Sequence, residues 1–212
     1  MNCKVKTYDA LQAQKEGKPL TTADKIILLR SKYTHSEFQF SERYDNVSFS
    51  FSLADGSDGA RFKNIKYEHT ERWKTQIIPI SDNIEDGLWR VACTLAHLPL
   101  DWILDTTGRY ATITDGEIIY KGKLNWKYDL IGLLTHALKK SPDWKTNLIR
   151  SGLWFWTTFI KADPNKAWCS EGVAMLIKWA FYDFCKNPEK LDPEELYDKI
   201  SKYFASNTDN IV

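Results

Sequence analysis

The chain has 212 residues, 43% of them hydrophobic and 14% aromatic, enough apolar material for one large domain with a substantial core. Its 29 basic and 28 acidic side chains leave a formal net charge of +1, so bulk electrostatics points neither to nucleic acid nor to an anionic membrane. Cys3, Cys93, Cys169 and Cys185 have no CxxC or framework spacing, which argues against structural zinc and a disulfide scaffold and fits reduced thiols in a cytoplasmic protein. The first residues, with Lys4, Lys6 and Asp9, carry no signal core, and the most apolar run, Leu153 to Ile160, is far too short for a membrane span.

Residues 1–20 are polar and weakly patterned, and read as a loosely structured arm or a first short strand. Thr22 is a weak helix cap, with Lys25 where a capping box has Glu, and Ile26 to Leu29 reads as a buried turn or strand. From Thr34 the pattern sharpens. Thr34 to Phe40 alternates, with His35, Glu37 and Gln39 on one face and Phe38 and Phe40 on the other. Ser41 to Asn46 supplies turn residues. Val47 to Leu53 alternates again, with Ser48, Ser50 and Ser52 on one face. The two runs predict a hairpin whose polar faces coincide, either solvated or lining a cleft. Ala54 to Gly59 reads as a turn, Arg61 to Tyr67 as a third strand and Trp73 to Ile80 as a fourth.

Asp82 is a candidate cap for a helix over about 84–97, with Leu88, Val91, Ala92, Leu95 and Ala96 as its buried stripe. Pro99 stops it, and a second short helix is expected over Leu100 to Asp105. Tyr110 to Thr114 and Glu117 to Tyr120 predict a small hairpin around Asp115-Gly116. Tyr128 to Thr135 opens a further helix, ended by Ser141-Pro142-Asp143. The clearest amphipathic helix starts between Lys166 and Cys169, with Val173, Leu176, Ile177, Ala180, Phe181 and Phe184 as one stripe. Asp192-Pro193-Glu194-Glu195 starts the last helix, over about 193–204.

Cys169 lies in the first turn of its helix, where unpaired amides and the dipole favour a thiolate, so it is a candidate nucleophile as well as a small core residue. A thiol nucleophile needs a base. His69 sits in a charged loop, His97 at a helix end and His136 within a helix. His35 alone lies on a strand with polar neighbours able to orient a ring: Glu37 on its own face, Ser48 or Ser50 on the paired strand. A metal set of His35, Glu37 and Cys169 has no recognised ligand spacing, and GxSxG, GxGxxG and P-loop patterns are absent.

These residues fall in a familiar order. Thr34-His35-Ser36-Glu37 lies on a strand, and Asp55-Gly56 and Gly59-Ala60-Arg61-Phe62 follow a second. Tyr128-Asp129-Leu130-Ile131-Gly132 comes next, and Trp168-Cys169-Ser170-Glu171 opens a helix. This order resembles the circularly permuted papain-like cysteine hydrolases, the permuted relatives of the NlpC/P60 group found in bacteria and their phages. The resemblance covers about 28–180. It implies Cys169 as nucleophile and His35 as general base, with Glu37 as first choice for the third residue and Ser50 as second. It implies structural roles for Asp129, as a helix cap, and for Tyr128, as a cleft wall, with Trp168 a further cleft or structural residue. Ser36 stands where the family more often has a small apolar residue, and about 82–122 is an insert that the resemblance does not explain.

The expectation is therefore an α+β fold, a single permuted papain-like domain over 1–212. An antiparallel sheet of four to six strands packs against helices, and the first turn of the Cys169 helix faces His35. The implied function is a cysteine amidase or peptidase acting without a cofactor on peptide or peptidoglycan-type amide bonds. An acyl-ester lipase or acyltransferase would use the same triad. A non-enzymatic phage virion or assembly protein, binding partner virion proteins through the same fold, is the alternative from another class. The expected location is cytoplasmic, or virion-associated if phage-encoded.

Overall fold

Alternating sequence becomes sheet. The computed structural model describes residues 2–28, 31–52, 59–65, 67, 70–96, 98 and 168–206, with the short strands at 103–104, 110–114, 117–120, 127–128 and 166–167. Strands β1 (Asn2–Tyr8), β2 (His35–Gln39), β3 (Ser48–Ser52), β4 (Gly59–Lys63) and β5 (Trp73–Pro79) form one antiparallel sheet in the order β4-β3-β2-β1-β5. The expected hairpin is β2 with β3, Phe38 opposite Phe49 and Gln39 opposite Ser48. β4 extends the meander with Arg61 opposite Ser50, and it ends at Lys63 rather than Tyr67.

The amino-terminal residues are the main correction. They are no loose arm: β1 lies inside the sheet, paired with β2 on one side and β5 on the other. Cys3, Val5 and Thr7 point inward and are fully buried, and they alternate with half-exposed Lys4, Lys6 and Tyr8. Asp9 ends the strand and caps α1 (Ala10–Lys15), accepting from the Gln12 N–H at 2.9 Å.

One face of the sheet is apolar. Its Phe38, Phe40, Phe49, Phe51 and Phe62 are at most 2% exposed, and full burial of each is worth about 1.5–3 kcal/mol. They share one core with Leu88 and Ala92 of α3 (Asp82–Ala96), with Val173, Leu176 and Ile177 of α4 (Cys169–Ala180), and with Leu196 and Ile200 of α5 (Pro193–Ser206). A Cβ added at Gly172 would lie 2.2 Å from a Phe51 ring carbon, so the missing side chain lets α4 press onto β3. α3 also buries Glu85, whose carboxylate accepts from the Ser41 N–H at 2.7 Å, the Ser41 hydroxyl at 2.9 Å and the Cys3 thiol at 3.3 Å. Burial and the Glu85 charge push the Cys3 thiol well up.

Smaller differences have local causes. α2 (Thr22–Ile27) takes Thr21 as its cap, with Asp24 returning the bond, so Ile27 belongs to a helix and not to a strand. α3 starts after Ser81, whose carbonyl accepts from Glu85, and includes Asp82. Ile103–Leu104 is strand β6, not helix, because it pairs with β7 (Tyr110–Thr114), extending the hairpin that β7 forms with β8 (Glu117–Tyr120). α4 ends at Ala180, so Phe184 reaches the core from the following loop. α5 begins as its sequence predicts, with Asp192 accepting from Glu194 and Glu195 N–H groups at 3.0 and 2.8 Å. The structure is α+β, and no described helix is long and apolar enough to cross a membrane.

Candidate active site

The polar face of the sheet is not solvated. Glu37, Ser48 and Ser50 are fully buried, and Gln39, Ser52 and Arg61 are at most 6% exposed. Strand alternation puts Glu37, Ser50 and Arg61 in one row and His35 and Ser52 in the next. Buried polar side chains need partners, and here they find one another.

Glu37 is the hub. Its Oε1 accepts from His35 Nε2 and from Arg61 Nη2, both at 2.7 Å. The carboxylate is 0% exposed, the guanidinium side chain 6% and the imidazole side chain 22%. Burial pushes the Glu37 carboxyl up, but the Arg61 and His35 charges outweigh it, with Lys63 adding to them, and hold it below the usual carboxylate range. Removing one partner of such a buried pair costs about 3–5 kcal/mol, so Glu37 and Arg61 fix each other in place.

Cys169 completes the row. It is the first residue of α4, 1% exposed, and α4 packs on β2 and β3. His35 opens β2, and the Cys169 sulfur meets its ring there. Burial lowers the His35 pKa, but the Cys169 and Glu37 charges, with side-chain hydrogen bonds to both, raise it from 6.5 to about 10. Because Nε2 is held by Glu37, Nδ1 is the nitrogen left to face the thiol. The helix start leaves the Cys169 N–H without an intrahelical acceptor. Together these groups offer a nucleophile, a base, an orienting carboxylate and an amide donor for an oxyanion.

Local sequence builds each part. Trp168 is the α4 cap in extended conformation, and its N–H donates to the Glu171 carboxylate at 3.4 Å. The Trp168 indole donates to the Leu191 carbonyl at 3.3 Å and packs with Ile27. Ser170 donates to the same carbonyl at 2.7 Å, tying the first turn to the chain before α5. Just upstream, β10 (Lys166–Ala167) pairs in parallel with β9 (Lys127–Tyr128), Ala167 beside Tyr128, and β9 lies against β3 and β4. Tyr128 thus stands in a short strand rather than at a helix start, next in the fold to the residues that lead into Cys169.

Of the expected site residues, the structure brings Cys169, His35 and Glu37 together. Ser50 is not an orienting residue for His35: its hydroxyl donates to the Ser36 carbonyl at 2.6 Å. Asp129, His69, His97, His136 and the expected helix after Tyr128 lie outside the described residues. Arg61 was missed as a site residue, since alternating Arg61-Phe62-Lys63 reads equally as the solvated face of a strand and its acid lies on a different strand. Tyr67 was missed too. Its hydroxyl lies 2.6 Å from Ser48 Oγ, and burial and the Glu37 charge push its pKa up. Trp73 stands 6.4 Å from the His35 ring, edge-on, with Tyr8 and Tyr67 against it at 4.9 and 5.0 Å. Among the described residues no group of three or more His, Cys, Asp or Glu side chains is placed to hold a metal ion.

Comparison of the chain with protein-family models, with curated proteins and with solved structures found no match.

Proposed function

We propose that the chain is a cysteine hydrolase of permuted papain-like fold, cleaving peptide or peptidoglycan-type amide bonds. The observation that carries this reading is the row Cys169–His35–Glu37, with the imidazole held between a helix-start thiol and a buried carboxylate. The Cys169 thiolate attacks the amide carbonyl, and the His35 imidazolium gives its proton to the leaving amine. The ring then takes a proton from the water that hydrolyses the thioester, and the thiolate is restored. Glu37 keeps the ring in the tautomer that turns Nδ1 to sulfur. The Cys169 N–H stabilises the tetrahedral oxyanion. The order of histidine strand and cysteine helix supports the permuted family over ordinary papain-like chains.

Turnover tests it. Against a panel of peptide and muropeptide amides, Cys169→Ala abolishes cleavage, and His35→Ala slows it about 10²- to 10⁴-fold, with both variants folded. A folded Cys169→Ala variant with full turnover contradicts the assignment.

One observation favours a second reading. Cys169 is 1% exposed, as suits a non-enzymatic virion or assembly protein that keeps the fold with a closed site.

A further inference from the structure

We propose that Arg61 is a positioning residue for the Cys169–His35 pair: by neutralising Glu37 it frees the His35 imidazolium to balance the Cys169 thiolate. This rests on Cys169 and His35 being nucleophile and base. In the ion pair that the proposed mechanism requires, thiolate, imidazolium, carboxylate and guanidinium alternate in sign along Cys169, His35, Glu37 and Arg61, the last three joined by hydrogen bonds of 2.7 Å. Each neighbour is of opposite sign, and the row as a whole is neutral. In a buried site an uncompensated charge is removed by protonation. Without Arg61 two anions would share one cation, and the weaker acid would take the proton. That acid is the thiol, with a free value of about 8.5 against about 4.3 for glutamate.

Among the described residues no other cation replaces Arg61. Lys63, on the same strand, acts on Glu37 without direct contact. Lys6, opposite Glu37 on β1, donates to Thr75 Oγ1 at 2.9 Å and lies over the Tyr67 ring at 4.7 Å. Tyr67, a further titratable neighbour, is engaged with Ser48. Arg61 in turn has no second hydrogen-bond partner among the described residues: its Nε and Nη1, like Glu37 Oε2, are buried and unpartnered. A guanidinium kept only to fill the core would be better served by an apolar residue.

The test is the rate of iodoacetamide alkylation of Cys169 at pH 7 in Arg61→Met, Arg61→Lys, the double variant Arg61→Met/Glu37→Gln, and His35→Ala. Arg61→Met slows alkylation by at least about tenfold, the effect of one unit of thiol ionisation. Arg61→Lys, which keeps the charge, retains most of the rate. The double variant, which removes one charge of each sign, recovers most of the loss. A purely structural role gives no such recovery, so a double variant as slow as Arg61→Met overturns the proposal. So does an Arg61→Met rate equal to wild type while His35→Ala slows alkylation. If His35→Ala changes nothing, the catalytic reading itself fails. Should Arg61→Met not fold by circular dichroism, Arg61→Lys decides, and a rate loss beyond about tenfold overturns the proposal.

Discussion

His35 is held from two sides, and both raise its affinity for a proton. Its pKa, raised from 6.5 to about 10, means that its contribution to stability is complete below about pH 6.5 and is lost as pH rises toward 10. Glu37 works in the opposite sense. Its carboxyl is held below the usual range, so its contribution is present above that range and is lost as pH falls through the folded value. Both contributions are complete between the usual carboxylate range and about pH 6.5, and His35 and Glu37 both stay charged through neutral pH. NMR of the His35 ring protons checks this: the imidazolium resonances hold steady from pH 6 to pH 8.5 and titrate above. A midpoint near the free value of about 6.5 shows that the ring lacks its anionic partners. At this scale the sequence was informative for Cys169, His35 and Glu37, since helix position and strand alternation alone put them forward. It put Ser50 forward as an alternative orienting residue, which the structure corrects, because whether a hydroxyl turns to a ring or to a backbone carbonyl depends on a fraction of an ångström of packing.

Helix α4 carries the nucleophile, and its placement depends on contacts that its stripe of apolar residues sets. Gly172 lies one turn beyond Trp168, against Phe51 of β3. A methyl group there would stand 2.2 Å and 2.4 Å from two ring carbons of a fully buried side chain. Gly172→Ala therefore costs about 1–3 kcal/mol through overpacking, even though alanine is the better helix former. Thermal denaturation reads this as a fall in Tm of several degrees, whereas an unchanged or raised Tm shows that helix and strand do not approach so closely. The stripe and the Trp168-Cys169-Ser170-Glu171 start made α4 legible in sequence, and Asp192 with Pro193 did the same for α5. α1 is only six residues long and shows no stripe, so its cap Asp9 was its one signal. Ile103–Leu104 forms a strand because a neighbouring hairpin offers it an edge, which no local pattern reveals.

Across the molecule, the sheet divides apolar from polar chemistry. The meander β2-β3-β4 was legible because its strands are neighbours in sequence and alternate cleanly. The pairing of β1 with β5 joins Cys3 to Ile78 and was not, since nothing local says which distant strands will meet. The same non-locality hid Arg61: the acid it needs lies two strands away, across Ser50. Its consequence is that the polar face is buried charge rather than wetted surface, and a row of compensating ions leads to Cys169.

That row is tested most directly by the alkylation rates of Cys3, Cys93, Cys169 and Cys185 with iodoacetamide at neutral pH, read by mass spectrometry in wild type and His35→Ala. All four thiols are at most 5% exposed, so exposure does not separate them and chemistry must. The predicted result is that Cys169 alkylates fastest, and that His35→Ala slows it at least about tenfold while leaving the other three unchanged. A Cys169 no faster than Cys185, or unaffected by the loss of His35, contradicts the catalytic pair.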